Sequence, residues 1–355
     1  MRYDQLYISG TGTWLPPAVA TDEAVADGRW TRASRARDGI VSVTVAGNDI
    51  PPEMAARAGR RALAAAGFGA DDVDLVLHSS VHHQGLDLWA AASFVQNQVV
   101  GNTCPAFEVR QMSAGGMAAL ELGAASVAGR SRPWSADGPR AASRPAVALL
   151  TAADKFCLPG YDRWRSESGM VFADGGSALV LSNRAGFARV RSVVTVSDTG
   201  LEALHRGDEA FTDAPFLNGP PDADRRVRDY VRDHGRADTL VRLRAGQDEA
   251  LKAVLDEAET TLGEIDWYVL PNFGFARLDA AYFRRFEIDP DRTTWPWAKT
   301  VGHLGAADQF AGLHYLQRAG KLQPGQRCLL SAVGSGMSWT CAVIEIVGDA
   351  MAAAG

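Results

Sequence analysis

The residue in this chain best placed to do chemistry is Ser113. It falls in the stretch Pro105-Ala-Phe-Glu-Val-Arg-Gln-Met-Ser-Ala-Gly-Gly-Met-Ala-Ala-Leu, where a strand period gives way to a helical one. The pattern predicts a short buried strand from Ala106 to Arg110, an abrupt turn, and a helix from about Ala114. Gly115 and Gly116 would let the backbone bend and keep side chains away from a reacting group. A hydroxyl at such an elbow sits beside the unpaired N–H groups and positive dipole end of the helix. Ser113 is therefore a candidate nucleophile, with the role of a plain helix N-cap as the alternative. The histidines offer less. His82 and His83 lack an Asp, Glu or Cys at metal spacing and read as a solvated loop, and His78, His205, His234 and His314 gather no partners. Cys104, Cys157, Cys328 and Cys341 are scattered singly in apolar contexts, so buried reduced thiols are expected.

These residues need a scaffold, and the chain supplies an ordinary one. Its 355 residues carry 46% hydrophobic and 22% charged side chains, enough for one large or two ordinary cores. A net charge of -6 argues against a nucleic-acid partner. No apolar run reaches the length of a membrane span, and Met-Arg-Tyr-Asp-Gln-Leu at the start lacks a signal peptide's apolar core. A cytoplasmic protein with no metal is expected.

The elements alternate as strands and helices. A strand is expected over residues 3–13 and a short helix over 21–28, capped by Thr21 or Asp22. A β-branched run follows over 41–46, then a helix over 52–67, a turn at 70–72, a strand over 73–78, and a helix from about Ala90. Asp248 to Leu262, the turn at Gly263, and the strand Asp266 to Leu270 repeat the 52-to-78 segment in order, length and acidic turn. The elbow also has a counterpart in Gly302-His-Leu-Gly-Ala-Ala-Asp and the helix Gln309 to Arg318. Such a repeat predicts an α/β fold with internal duplication. The two halves would be 1–186 and 187–355, with the boundary near 186–195. Two segments break the pattern: the Arg/Ser/Pro-rich run 129–145, read as a surface loop, and the charged run 205–238, read as an excursion with a solvated helix, or a lid.

Several pieces together resemble β-ketoacyl-acyl-carrier-protein synthase III. They are the elbow, Val171-Phe-Ala-Asp-Gly-Gly-Ser-Ala-Leu-Val-Leu, Asp266-Trp-Tyr-Val-Leu-Pro-Asn, Gly302-His-Leu-Gly-Ala-Ala and Gly334-Ser-Gly-Met-Ser-Trp, in the family's order and spacing over nearly the whole chain. The resemblance implies a thiolase-like five-layered α-β-α-β-α fold and a homodimer. The departures matter most. Where the family has a cysteine, a histidine and an asparagine, this chain has Ser113, Asn272 and His303, and Asp308 adds a carboxylate five residues after His303. A serine needs a base that takes its proton during attack, and that base works best when a carboxylate fixes its tautomer. His303 and Asp308 would form that pair; the alternatives are a loop histidine and a helix cap. Asn272 would donate to a thioester carbonyl, or else be a turn residue after Pro271. The family's glycine-rich loop implies an oxyanion hole from the N–H groups of Ser113 and Gly336.

The Ser-His-Asp pattern resembles a subgroup of synthase-III-like proteins in aromatic and aminosugar-containing natural-product pathways. Some of these select starter units and others are plain acyltransferases. The expected activity is acyl transfer from a phosphopantetheine thioester, on acyl carrier protein or coenzyme A, through an acyl-serine to a hydroxyl or amine. Decarboxylative condensation with malonyl-carrier protein is the second reading, and a non-catalytic part of a polyketide synthase complex the third. No cofactor beyond the phosphopantetheine arm of the donor is expected. Leu88 and Trp89 fall in the loop that closes the family's acyl pocket across the dimer interface. The family's paired arginines after the early Gly-Ile are missing from Gly39-Ile-Val-Ser-Val, which favours a carrier-protein donor.

Overall fold

A computed structural model describes residues 1–129 and 145–348; residues 130–144, the bulk of the expected Arg/Ser/Pro-rich loop, lie outside them. The first half of the chain forms β1 (Tyr7–Trp14), β2 (Ala18–Ala20), β3 (Ser42–Thr44), β4 (Leu75–Ser79), β5 (Ala106–Val109), β6 (Val147–Asp154) and β7 (Gly175–Ser182). Its helices are α1 (Thr21–Ala26), α2 (Arg32–Asp38), α3 (Pro51–Ala66), α4 (Ala91–Val99) and α5 (Gly115–Gly129). The second half forms β8 (Ala188–Ser197), β9 (Trp267–Val269), β10 (Arg327–Gly334) and β11 (Ser338–Ile346). It adds α6 (Ala223–His234), α7 (Arg236–Glu257), α8 (Phe275–Leu278), α9 (Arg284–Phe286), α10 (Trp295–Ala298) and α11 (Asp308–Arg318).

Nine strands join in the order β5-β4-β6-β7-β1-β8-β11-β10-β9. In the first five, β4 runs parallel to β5 and β6, and the pairs β6–β7 and β7–β1 are antiparallel. The last four repeat this, with β9 parallel to β10, then β10–β11 and β11–β8 antiparallel. A single parallel bridge between Tyr268 and Thr293 stands where a fifth strand would lie. Among the described residues, β1 and β8 join the halves of the sheet through two residue pairs, Tyr7 with Arg189 and Ile8 with Ala188, and an isolated bridge pairs Arg2 with Ser192.

The buried side chains define five layers. Met117 and Leu120 of α5 and Phe310 and Leu313 of α11 share one core with Leu150 and Leu181 on one side and Leu330 and Ile344 on the other. These two helices are therefore sandwiched between the sheet's halves, and each such side chain contributes about 1.5–3 kcal/mol by burial. Outside, α3 covers the first half with Ala58 and Ala62 against Leu149 and Val180. It lies so close that a Cβ at Gly10 would come within 2.3 Å of the Ala62 carbonyl oxygen. On the far side, Ala250 and Val254 of α7 pack with Trp339 and Val343.

Four local expectations are corrected. The strand before the elbow is not buried: β5 is the sheet's end strand, with one neighbour, and Phe107 is 57% exposed. The helix expected from Asp248 begins twelve residues earlier, at Arg236, where Gly235 (φ 83°) separates it from α6; its first turns bury only Thr239 and Gly246, so the apolar period there is faint. Thr21 does not cap α1; its hydroxyl donates to the carbonyls of Ile40 and Val41. Cys157 is exposed, Cys104 half-buried, and only Cys328 and Cys341 are buried.

Candidate active site

Ser113 occupies the middle of a 3-10 turn, Met112–Ala114, that leads into α5. The bend is taken by Met112, a non-glycine residue at φ 47°, whereas Gly115 is already helical at φ -56°. The two glycines serve another purpose. A Cβ at Gly116 would lie 2.3 Å from the carbonyl oxygen of Ala306, and one at Gly115 would lie 3.3 Å from the Ala306 Cβ. Their smallness lets the start of α5 touch the loop that carries His303.

That loop is pinned from several directions. His303 forms a parallel bridge with Phe172, its N–H donating to Val171 (2.9 Å) and its carbonyl accepting from Ala173 (2.7 Å). Gly305 has φ 63°, and a Cβ there would come within 2.7 Å of Asp154 Oδ2. Asp154 is fully buried; its carboxylate accepts from the N–H groups of Val81, His82 and Ala306, and burial pushes its carboxyl up to about 7 against those bonds.

The result is a continuous hydrogen-bonded chain. Ser113 Oγ lies 2.8 Å from His303 Nε2, and His303 Nδ1 lies 2.6 Å from Asp308 Oδ2. A carboxylate only accepts, so Nδ1 carries the proton and Nε2 presents its lone pair to the serine O–H. Both His303 and Asp308 are buried, at 1% and 0% exposure. Asp308 is also held by the N–H groups of Leu304 and Asn272, each at 2.8 Å. Asp308 makes no cap bond to α11, and the Ser113 hydroxyl serves His303 rather than a helix end. The rings of Phe172 and Phe273 flank the imidazole at 5.6 and 5.5 Å.

The other expected residues are placed differently. Asn272 donates its side-chain N–H to the Gly302 carbonyl (2.9 Å), and its Oδ1 is buried without a partner. Gly336, at φ 85°, belongs to the turn between β10 and β11. This turn is docked on the serine's own turn: a Cβ at Gly334 would lie 3.1 Å from the Ala114 nitrogen, and Gln111 Nε2 donates to Ser338 Oγ (3.1 Å). Leu88 is fully exposed and Trp89 packs on Phe94, so neither reaches this site within one chain.

The histidines set aside in the sequence have partners after all. His78 bonds Thr151 and Gln84, His314 bonds Thr11, and His234 bonds the Tyr230 carbonyl. His82 is not solvated but packs among Phe156, Tyr161 and Phe216. His205 approaches Glu167 at 4.0 Å, and Glu167 pairs with Arg277 at 2.5 Å. Burial lowers the pKa of His205, keeping it neutral near pH 7; burial also opposes the charge on Glu167, but Arg277 holds its carboxyl below the usual range. Partners 110 and 38 residues away left no local signal in the sequence. Among the described residues no group of three His, Cys, Asp or Glu could hold a metal, and no helix is long and apolar enough to cross a membrane.

Comparison with known proteins bears on this geometry. Residues 255–346 match the family model for the 3-oxoacyl-[acyl-carrier-protein] synthase III C-terminal region. A solved structure of ChlB3, described as an acyltransferase, is 30% identical, covers 98% of this chain and 99% of its own, and superposes with a TM-score of 0.87. The chain belongs to the synthase-III-like family of the thiolase superfamily. The β-ketoacyl-[acyl-carrier-protein] synthase III of Erythrobacter litoralis is 26% identical to this synthase-III-like protein, over 95% of the chain and 98% of the relative. The synthase III structure from Pseudomonas aeruginosa PAO1 shares the fold, at a TM-score of 0.74 and 21% identity, covering 97% of this chain and 99% of that one. This synthase-III-like protein is thus an enzyme of the α/β thiolase class.

Proposed function

We propose that this enzyme transfers an acyl group from a phosphopantetheine thioester, through an acyl ester on Ser113, to a hydroxyl or amine in natural-product biosynthesis. The observation that carries the reading is the unbroken relay from Ser113 through His303 to Asp308, at 2.8 and 2.6 Å. As Ser113 Oγ attacks the thioester carbonyl, His303 Nε2 takes its proton, and Asp308 stabilises the imidazolium. The N–H groups of Ser113 and Gly336 would receive the oxyanion, where one lost donor typically costs about 10²–10³ in rate. His303 returns its proton to the departing thiol, then takes one from the acceptor as it attacks the ester. The donor is an acyl carrier protein or coenzyme A, and the location the cytoplasm. A homodimer is supported by the exposed edge of β5 with Phe107, and its mass in solution checks it.

Intact-mass measurement after incubation with acyl carrier protein and acyl-coenzyme A donors is expected to show an acyl adduct on Ser113, absent in Ser113→Ala. No adduct from either donor would overturn the reading.

The names of the curated relatives favour a second reading, condensation with malonyl-carrier protein. Against it, the Asn272 side chain donates toward the Gly302 carbonyl and His303 is engaged with Ser113. Carbon dioxide release from malonyl-carrier protein in the presence of an acyl donor would establish it.

A further inference from the structure

Phe273 and Met337 wall a chamber of about 710 Å³. One of them packs beside the His303 ring, and the other follows Gly336 in the chain. The sides of the chamber are aliphatic and aromatic, with Val227 and Val231 from α6, Leu243 from α7 and Trp339 from β11. One polar cluster interrupts them, made by Glu167, Arg277 and His205, and the buried Nδ1 of His205 has no partner. A second, narrower cavity of about 200 Å³ shares Glu167 and Ser168 with the chamber and is lined by Trp30, Arg37, Trp164 and Arg165.

The two spaces suit different molecules. A phosphopantetheine arm is thin, carries amides along its length and ends in a phosphate, which matches the narrow cavity with its guanidinium groups. The chamber is too wide and too apolar for such an arm. Its volume lies in the range of pockets that enclose a compact organic molecule, with apolar walls and a few polar groups that fix orientation. It also has its own mouth: Arg228, Arg236 and Leu240 line it from the α6–α7 hairpin and are exposed to solvent. The acyl group arrives tethered to its donor. The acceptor must come and go by itself in every turnover, and this mouth gives it a path that the donor's arm does not occupy.

We infer that this chamber seats the acyl acceptor, an alcohol or amine on an aromatic or alicyclic skeleton, oriented by a polar group of its own that meets the Glu167–Arg277–His205 cluster in the wall. The inference rests on the acyl-serine reading and extends it. The acceptor's reacting end passes the Phe273 ring to reach the ester on Ser113. Its O–H or N–H loses the proton to His303 Nε2 as the new C–O or C–N bond forms. The bond from the acyl carbon to Ser113 Oγ breaks, and the proton passes from His303 to the serine oxygen. No other reactant is consumed. His205 and Glu167 touch only the remote end of the acceptor and act as positioning residues.

The test separates the two half-reactions. Acyl-enzyme is formed with an acyl-N-acetylcysteamine thioester, followed by mass, and then challenged with 2-naphthylmethanol, 2-naphthylmethylamine, methanol or hydroxylamine. In the parent enzyme, transfer to the naphthyl acceptors is expected to exceed that to methanol. Val227→Trp, inside the chamber, and Leu240→Trp, at its exposed rim, are expected to slow naphthyl transfer at least tenfold. Both are expected to leave acylation and hydroxylamine release within twofold, which also reports an intact fold. The inference is overturned if the parent shows no naphthyl preference, if both variants transfer to naphthyl acceptors at the parent rate, or if hydroxylamine release slows equally. An absent acyl-enzyme in the parent instead sinks the reading beneath it.

Discussion

A hydroxyl at the elbow asks more of its base than a thiol would. A cysteine near pKa 8.5 reaches the thiolate with modest help from a helix end or a neighbouring charge, whereas serine is deprotonated only as it attacks. The carboxylate therefore matters because of the nucleophile it serves. Asp308 fixes the imidazole through Nδ1 at 2.6 Å while two backbone N–H groups hold it in place. Asp308→Asn is expected to slow acylation of Ser113 by about 10³–10⁴, the effect of presenting the wrong tautomer. In a Ser113→Cys background the same substitution should cost less than about tenfold, since a thiolate needs less of the base. Single-turnover acylation rates of the four proteins check this. An equal loss in both backgrounds would mean that Asp308 acts only by holding the loop.

Those side chains meet because two elements approach more closely than ordinary residues allow. The start of α5 leans on the Ala306 carbonyl, 2.3 Å from where a Gly116 Cβ would stand. The contact is backbone, not the end of a flexible side chain, so the clash can be relieved only by moving α5 or the His303 loop. Gly116→Ala is expected to destabilise the fold by about 1–3 kcal/mol and to slow acylation as the serine and imidazole separate. Gly47→Ala, where the added Cβ meets nothing within 4 Å, should do neither; chemical denaturation and acylation rates together decide. The Gly-Gly pair, the strand-to-helix switch and the repeated helix-turn-strand units were legible in the sequence because each has a local signature. The reason for the glycines was not, since the carbonyl they accommodate lies 190 residues away. The chamber was equally hidden. The α6 sequence is dominated by Arg and Asp, and its few apolar residues, Ala223, Val227, Tyr230 and Val231, only hint at an apolar face. Whether they meet water or a cavity depends on where α7 and β11 pass. The buried Glu167, read by nothing in its own stretch, gains its meaning from Arg277 and His205.

Seen as a whole, the molecule places its nucleophile in one half and its base in the other, so the Ser113–His303 contact depends on how the halves are docked. The halves are joined by the β1–β8 pairs of the sheet, by the Arg2–Ser192 and Phe172–His303 bridges, and by the sandwiched helices α5 and α11. On α11, the Nδ1 of His314 lies 2.8 Å from the hydroxyl of Thr11 on β1, a bond that crosses from one half to the other. Burial lowers the pKa of this imidazole to about 4, and the nearby guanidinium groups of Arg318 and Arg61 push the same way. His82 is likewise lowered to about 4, mainly by burial, and His78 is lowered by burial too. In the unfolded chain each would titrate near 6.5. Between pH 6.5 and 4 the unfolded state then binds more protons than the folded one, so stability is fully present above 6.5 and is lost as the pH falls toward 4. The Thr11–His314 bond is among the contacts strained by that loss, because a protonated imidazole there is desolvated and faces two arginines. His314→Gln keeps a polar group but cannot titrate, so its stability is expected to fall less steeply over this window, with a difference on the order of 1–3 kcal/mol accumulated by pH 4. Urea midpoints measured at half-unit steps from pH 7 to 4 would show it, and superimposable pH profiles for parent and variant would mean that His314 is not one of the groups through which acid opens the molecule.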